Sequence, residues 1–467
     1  MNQADAPKKA TSYSGYYQRG VPAPDPELTQ TGPGTPMGEF FRRSWLPVCL
    51  SVELKDVPKA IRILGEDLVA FRDKSGRIGV LHRHCAHRGA SLEYGIVSDK
   101  GIRCCYHGWK YDVDGRLLDA PCESPRSNLK ETVTQGAYPA FERSGLVFAY
   151  MGRPEDKPEF PEFDGYAYPQ GTRLIPYSNI LPCNWLQVAD NIMDHYHTCT
   201  LHNSMVADGT DENLAARLSL SGFQGFPVVR WEATHNGNGV AFSAARRMSD
   251  ELIWIRITSC LLPSFMQVGS PTPQASRPRH STIGQTRWTV PVDDVNCSVF
   301  GWRHFNSVVD PEGVGREDLL GVNAFDFLGG QTERPYDEAQ RAPGDYEALT
   351  SQRPIAVHAL EHPGTSDAGV YLYRKCLRGV VRGETKPYPF KEGTRQMYTQ
   401  DSVLRIPKRE GLDDQKLFAE LHKAVFAIMK EGDELSAEKR DQHIRQRLDS
   451  LPFAPNALTG VAEKAVA

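Results

Sequence analysis

The chain has 467 residues, with 54 Lys and Arg against 58 Asp and Glu, a formal net charge of −4 and 10 cysteines. That length exceeds what one hydrophobic core normally serves, so two domains are expected. The near-balanced charge excludes the basic footprint of a nucleic-acid binder, and no apolar run approaches the length of a membrane span. The cysteines are scattered rather than spaced as a disulfide framework, and the first residues carry no apolar signal segment, which points to a soluble protein of a reducing cytoplasm.

Residues 1–39 are rich in Pro, Gly and Thr, as in Val21-Pro22-Ala23-Pro24-Asp25-Pro26, and are expected to bury little and to wrap a neighbour or stay mobile. From about Phe40 the texture changes to short β-like runs at 60–64, 68–72 and 78–81, the last two joined by the turn Asp73-Lys74-Ser75-Gly76. Cys85-Ala86-His87 follows, and after sixteen intervening residues Cys104-Cys105-Tyr106-His107. One thiolate and one imidazole on each of two loops is the ligand set of a Rieske [2Fe–2S] centre, in which cysteines hold one iron and histidines the other. A structural zinc usually takes its cysteines from one loop and its histidines from another, so zinc is the weaker reading. His82, His84 and Cys105 lie close by but miss the paired spacing, and a structural role suits them better. Further β-like runs at 109–113 and 145–151 complete a small all-β domain over 40–153, and Arg153-Pro154-Glu155-Asp156-Lys157-Pro158 reads as a link.

The second informative stretch is 184–202. A helix from Trp185 to about His197 would put Asp190, Asp194 and His197 on one face, with His202 a turn further on. Polar groups on one face of an apolar segment are costly unless they share a purpose, and a metal is an economical one. Two imidazoles and one carboxylate on one side of a ferrous ion make the facial triad of non-haem iron oxygenases. The carboxylate candidates further along are Asp326, Asp337, Glu338, Asp345 and Glu347. Runs at 226–233, 240–244, 251–258, 264–268 and 286–292 predict an antiparallel sheet packed on helices, an α+β architecture over 154–467. Residues 413–451 read as an amphipathic helix, with Leu417, Leu421, Val425 and Met429 as its packing face.

His84-Cys85-Ala86-His87-Arg88-Gly89-Ala90 and Cys104-Cys105-Tyr106-His107-Gly108-Trp109 resemble the signature of the Rieske non-haem iron oxygenases. Asp190, Asn191, Asp194, His197 and His202 match that family's Asp/Glu-Asn-x-x-Asp-x-x-His-x-x-x-x-His motif. The resemblance implies a [2Fe–2S] cluster on Cys85, His87, Cys104 and His107, and a mononuclear Fe(II) on His197, His202 and one acid. It implies that Asp194 bridges the two centres, between an iron-binding histidine and a cluster histidine of an adjacent subunit, and hence a homotrimer. The stretches 345–355 and 361–367 resemble phthalate-dioxygenase-type members from their iron-binding Asp onward, which selects Asp345. Arg353 stands there in place of a usual Gly, and Gly344 in place of Gln or Glu. The family fold is a helix-grip sheet behind a Rieske domain. Its partners are a separate reductase, with or without a ferredoxin, so that NAD(P)H acts only indirectly, and its substrates include aromatic carboxylates and aryl ethers. A buried carboxylate calls for a cation, and Arg217, Arg246, Arg247 and Arg256 are the candidates. The competing classes are a Rieske-type electron carrier, for which the remaining chain would be surplus, and a zinc-stabilised binding protein.

Overall fold

A computed structural model describes residues 12, 15, 20–207, 226–269, 279–311, 313, 315–325, 330–386, 398–408, 413–435 and 437–452. The cluster lobe is three small antiparallel sheets. One pairs Trp45–Leu50 with Leu146–Tyr150 and Ala140–Arg143. A second orders Lys59–Ile63, Glu66–Arg72, Ile78–His82 and Ala137–Tyr138, and a third orders Ile96–Ser98, Gly101–Arg103, Lys110–Tyr111 and Leu117–Asp119. The first Cys/His loop leaves the end of Ile78–His82 and the second joins Gly101–Arg103 to Lys110–Tyr111, so the two loops hang from different sheets. Val69, Phe71 and Leu81 of one sheet and Ile102, Tyr111 and Leu117 of the other close a common core around Cys85 and Cys104, and this core fixes how far apart the loops lie.

The second lobe is built on a nine-stranded antiparallel sheet. Its strands are β1 (Arg173–Leu181), β2 (Val228–Thr234), β3 (Gly239–Arg247), β4 (Leu252–Leu261), β5 (Phe265–Gly269), β6 (Arg279–Ser281), β7 (Ile283–Pro291), β8 (Cys297–Phe305) and β9 (Gln400–Arg405). The spatial order is β1-β8-β7-β5-β4-β3-β2, and β9 pairs with both β4 and β6. Four of these strands, β1, β6, β8 and β9, were not among the expected runs; Pro176 interrupts the pattern of β1 and Asp401 that of β9. Helices α1 (Trp185–Met193) and α2 (His197–Ala207) carry the 184–202 stretch, followed by α3 (Asp345–Thr350), α4 (Ala368–Val381), α5 (Asp414–Glu431) and α6 (Ala437–Asp449). The expected C-terminal helix is therefore two, and Leu417, Leu421, Val425 and Met429 are all buried. No helix among the described residues is long and apolar enough to cross a membrane.

Strand β4 is buried along its whole length because the sheet is covered on both faces. Ile253, Ile255 and Ile257 pack outward on α5 and α6, together with Ala241 and Ala245 of β3. The alternate residues of β3, Val240, Phe242 and Ala244, join the core that contains Trp185, Leu186 and Val188 of α1. Arg256 therefore points to the inner face, where a charge needs a partner. Register supplies one: Arg256 lies opposite Asp401 of β9, whose carboxylate accepts from Arg256 Nε at 3.2 Å and from Trp254 Nε1. The two lobes share one core, in which Phe148 meets Trp288 at 5.4 Å and Trp302 at 5.8 Å, and Trp302 Nε1 donates to the Ser144 carbonyl at 2.9 Å.

The N-terminal segment departs from expectation within its described part. Leu28 and Thr29 are buried, Trp185 Nε1 and Asn184 Nδ2 donate to the carbonyls of Leu28 and Thr29, and Asp25 and Glu27 pair with Arg378 and Arg382 at the end of α4. Buried Leu28, two backbone carbonyls and two carboxylates seat this proline-rich strap on the second lobe. Replacing Asp401 with Ala removes the carboxylate facing the buried Arg256 guanidinium. The expected cost is about 3–5 kcal/mol, read as a lower midpoint in denaturant unfolding.

Candidate metal centres

The two cluster loops are built alike. Cys85 N–H donates to the Ala90 carbonyl and Gly89 N–H to the Cys85 carbonyl, while Cys104 N–H donates to Trp109 and Gly108 N–H to Cys104, all between 2.8 and 3.1 Å. Gly89 and Gly108 take φ of 75° and 73°, the left-handed conformation that lets each loop turn back after its histidine. Both cysteines are buried and their thiols face each other, whereas His87 and His107 are half-buried with ring centroids 4.5 Å apart. Burial pushes the Cys85 thiol up, the Tyr111 hydroxyl at 3.2 Å pulls it down, and neighbouring Cys104 raises it again. His87 stacks flat on Trp109, whose Nε1 is buried with no protein partner among the described residues. Gln135, which nothing in the sequence marked, braces the first loop by donating to the His82 and His84 carbonyls and accepting from Ala86 N–H at 2.7 Å. His84 Nδ1 meets the Gly89 carbonyl at 3.0 Å, a loop-bracing role.

Among the described residues, the groups of three or more His, Cys, Asp or Glu donors lying within 4.8 Å of one another reduce to His197, His202 and Asp345. The four loop donors therefore do not converge on one point, as a tetrahedral zinc requires, but fall into a thiol pair and an imidazole pair. A two-iron cluster fits that arrangement, and the orphaned Trp109 Nε1 beside His87 is a donor in want of an acceptor there.

The helix expected to run from Trp185 to about His197 is broken. Helix α1 ends at Met193, Asp194 follows it with non-helical backbone (φ −89°, ψ 90°), and α2 starts at His197. Asp194 Oδ1 causes the break by accepting from Tyr196 N–H at 3.0 Å and His197 N–H at 3.3 Å, as an N-cap does. Asp190, Asp194 and His197 therefore do not share one helix face, which corrects that expectation. Asp190 turns away to Arg374, which bonds it through Nε at 3.0 Å and Nη2 at 2.5 Å and also holds Glu361. Burial pushes the Asp190 carboxyl up to about 7, and the Arg374 charge opposes it. Asp194 lies against His197, with Oδ2 3.9 Å from His197 Nδ1, and keeps a third of its side-chain surface exposed.

Asp345 opens α3, and its Oδ1 stands 3.6 Å from His197 Nε2 and 3.7 Å from His202 Nε2. Asn191 Nδ2 reaches both His197 and Asp345, and Gln331 Nε2 donates to Asp345 Oδ2 at 2.8 Å. Burial lowers His202 to about 4, leaving it neutral at pH 7 with a lone pair for a metal. Burial alone would raise Asp345, but His202, His197, the Gln331 amide and Arg287 outweigh it and hold the carboxyl below its usual value. The donor set of two imidazoles and one ionised carboxylate is the one a non-haem ferrous ion takes, and these residues fit it.

The other carboxylate candidates lie elsewhere. Glu347 caps Gly344 N–H and pairs with Arg334, Asp337 and Glu338 are exposed, and Asp326 lies outside the described residues. The two departures near Asp345 have physical readings. Gly344 packs on Gly330, whose carbonyl a Cβ would meet at 2.5 Å, so a larger residue does not fit here. Arg353 sits at φ 86°, a conformation suited to glycine, and its carbonyl is held by Gln187 Nε2. Arg353→Gly should relieve this and stabilise the protein by about 1 kcal/mol, against no gain for Arg353→Ala, in thermal unfolding.

Of the arginines singled out, Arg217 lies outside the described residues. Arg247 points outward to Asp414 of α5, which removes it as a pocket residue, because its position on β3 alternates to the outer face. Arg246 is buried and donates to Thr198 Oγ1 and Cys199 Sγ, between the two iron-side histidines. Arg256 faces Asp401. Sequence reasoning missed Arg287 and Arg303, which project from the inner face of β7 and β8. A cavity of about 660 Å³ at the junction of the lobes, lined by Phe40, Trp45, Phe163, Phe265 and Trp288 among others, contains no His or Cys donor and lies apart from the trio.

The family description "Rieske [2Fe-2S] domain" matches residues 44–139. The chain is 56% identical to the tert-butanol monooxygenase / tert-amyl alcohol desaturase oxygenase subunit of Aquincola tertiaricarbonis, over 95% of this chain and 97% of that one. It is 42% identical to the phthalate 4,5-dioxygenase oxygenase subunit of Pseudomonas putida, over 73% and 82%. The fold matches crystalline dicamba monooxygenase bound to 3,6-dichlorosalicylic acid, with a TM-score of 0.52 at 17% identity, covering 74% of this chain and 99% of that one. With two relatives so similar along most of its length, the chain belongs to the Rieske non-haem iron oxygenases, as an oxygenase subunit whose cofactors are a Rieske [2Fe–2S] cluster and a mononuclear non-haem iron.

Proposed function

We propose that this oxygenase takes electrons from NAD(P)H through a separate reductase, with or without a ferredoxin, and oxygenates an aromatic carboxylate by ring hydroxylation or by hydroxylating an aryl ether carbon. The observation that carries the reading is the meeting of His197, His202 and Asp345 in a chain that also carries the paired Cys/His loops, beneath a sheet face bearing arginines. The 42% relative supports the substrate class, since phthalate is an aromatic dicarboxylate. A tertiary alcohol is the second reading, favoured by the 56% relative named for tert-butanol.

In this reading Cys85 and Cys104 hold one cluster iron, His87 and His107 the other, and His197, His202 and Asp345 the mononuclear iron. When bound, the cluster supplies electron storage and the mononuclear iron supplies O₂ activation. The protein's own part is ligation, orientation and exclusion of water. Asn191 and Gln331 hold the Asp345 carboxylate in one orientation, and Asp194 fixes the His197 ring through its backbone carbonyl and side chain. The half-exposed cluster histidines and the partly exposed Asp194 carboxylate suit a contact between copies, with Asp194 joining His197 to a neighbouring copy's cluster histidine in a cytoplasmic homotrimer. We assign 1–39 to an extension, 40–153 to the Rieske domain and 154–467 to the catalytic domain with its C-terminal helices.

Cys85→Ser should abolish the visible cluster absorbance while mononuclear iron content stays near one per chain, measured on anaerobically purified protein. Asp194→Ala should keep both metals and lower turnover at least about 100-fold; an iron-replete variant with wild-type oxygenation would reject the bridge. The substrate class is tested with reductase, NADH and a panel of aromatic acids with and without methoxy groups, beside tert-butanol, following O₂ uptake, formaldehyde and product mass. Formaldehyde with a phenol marks O-demethylation, and product from tert-butanol alone establishes the second reading.

A further inference from the structure

Among the described residues, Arg246, Arg256, Arg287 and Arg303 stand on the inner face of the sheet, and all of these but Arg287 have visible employment. Arg246 reaches Thr198 and Cys199 on α2, Arg256 meets Asp401 and the Gly269 carbonyl, and Arg303 donates to the Gly284 carbonyl. Arg287 differs. Its Nε points to the Met266 sulfur at 2.7 Å, the side chain keeps partial exposure, and it has no carboxylate partner among the described residues. A sulfur is a weak acceptor, so most of the guanidinium's donors are left for something else.

Strand register places this group. Arg287 lies in the cross-strand row Met266–Arg287–Gly301–Tyr177, and the next row on the same face is Thr289–Val299–Asn179. Asn179 Nδ2 donates to the Gln331 carbonyl, and Gln331 Nε2 holds Asp345. Arg287 is thus one row from the strand position that supports the iron-side carboxylate. Glycine at 301 puts no side chain beside it in the row, leaving space into which the Tyr177 hydroxyl leans. A guanidinium half-withdrawn from water beside apolar Met266 and Val268 is costly unless a ligand pairs with it, and its fork meets both oxygens of a carboxylate.

We propose that Arg287 is the residue that anchors the substrate carboxylate and so sets the preference of this oxygenase for acids over neutral aromatics. The assignment rests on the aromatic-carboxylate reading above, and it moves the role from Arg246, Arg247 and Arg256, which the sequence suggested and which have other partners, to Arg287.

The test is calorimetric binding to anaerobic, metal-loaded protein of benzoate, 3-methoxybenzoate, 3-phenoxybenzoate and phthalate, each beside its neutral amide, with tert-butanol as a further probe. The wild type should bind at least one acid about 10- to 100-fold more tightly than its amide. Arg287→Met should lose that preference with metal content and unfolding midpoint unchanged, and Arg287→Lys should recover part of it. Arg287→Gln, which keeps length and polarity, must lose the preference as well and serves if the Met variant does not fold. Acid preference that survives in Arg287→Met or Arg287→Gln would overturn the role of Arg287 and leave the carboxylate reading standing. A wild type that binds tert-butanol or the amides but favours none of the acids would overturn both.

Discussion

The site depends on bringing the Asp345 carboxylate against two imidazoles carried by a helix about 150 residues earlier in the chain. A carboxylate this enclosed needs donors, and Gln331 supplies one at 2.8 Å and Asn191 another at 3.5 Å, while the two imidazoles face it at 3.6 and 3.7 Å. The surrounding contacts serve to hold α3 at the right distance from α1. Gly344 lets the start of α3 press on Gly330, and Gln187 of α1 reaches across to the Leu349 and Arg353 carbonyls and to Ala356 N–H. Arg353 keeps an unfavourable backbone conformation in that clamp, which places strain just beyond the helix that Asp345 opens.

Asp194 carries a second constraint. By capping α2 it ends α1, so one carboxylate sets the angle between the helix that supplies Asn191 and the helix that supplies His197 and His202. Arg374 and Glu361 tie down Asp190 one turn earlier, which leaves the break at Asp194 little freedom to slide. Asp194 thus touches His197 while keeping a third of its side-chain surface exposed, which supports the bridging role proposed for it.

Around this core the sheet is used on both faces, and that explains the distribution of charge. Over β3 and β4 the outer face is aliphatic and sealed by α5 and α6, while the inner face mixes Phe242, Trp254 and Met266 with arginines. Strand β9 comes from the far end of the chain to neutralise Arg256 through Asp401, so the C-terminal region is part of the catalytic lobe's electrostatics as well as its packing. The aromatic contact of Phe148 with Trp288 and Trp302 makes the cluster lobe and this sheet one packed unit.

What the sequence determined by itself was chemistry that is local in the chain. The two Cys/His pairs need neighbours two and three residues apart, and the spacing from Asp190 to His202 lies within twenty residues, so both were legible, as was the helical face of Leu417, Leu421, Val425 and Met429. The choice of Asp345 over nearby acids rested on resemblance, because a ligand brought from a distant helix leaves no periodic mark. Tertiary structure alone decided that Asp194 breaks a helix, that Gln135 braces a loop, that Leu28 seats the proline-rich segment, and that Arg247 faces out while Arg287 faces in. Each of these depends on which strand lies beside which and on the face a side chain takes. A one-residue change of register reverses that face, and register is set by the packed core, not by the residue in question.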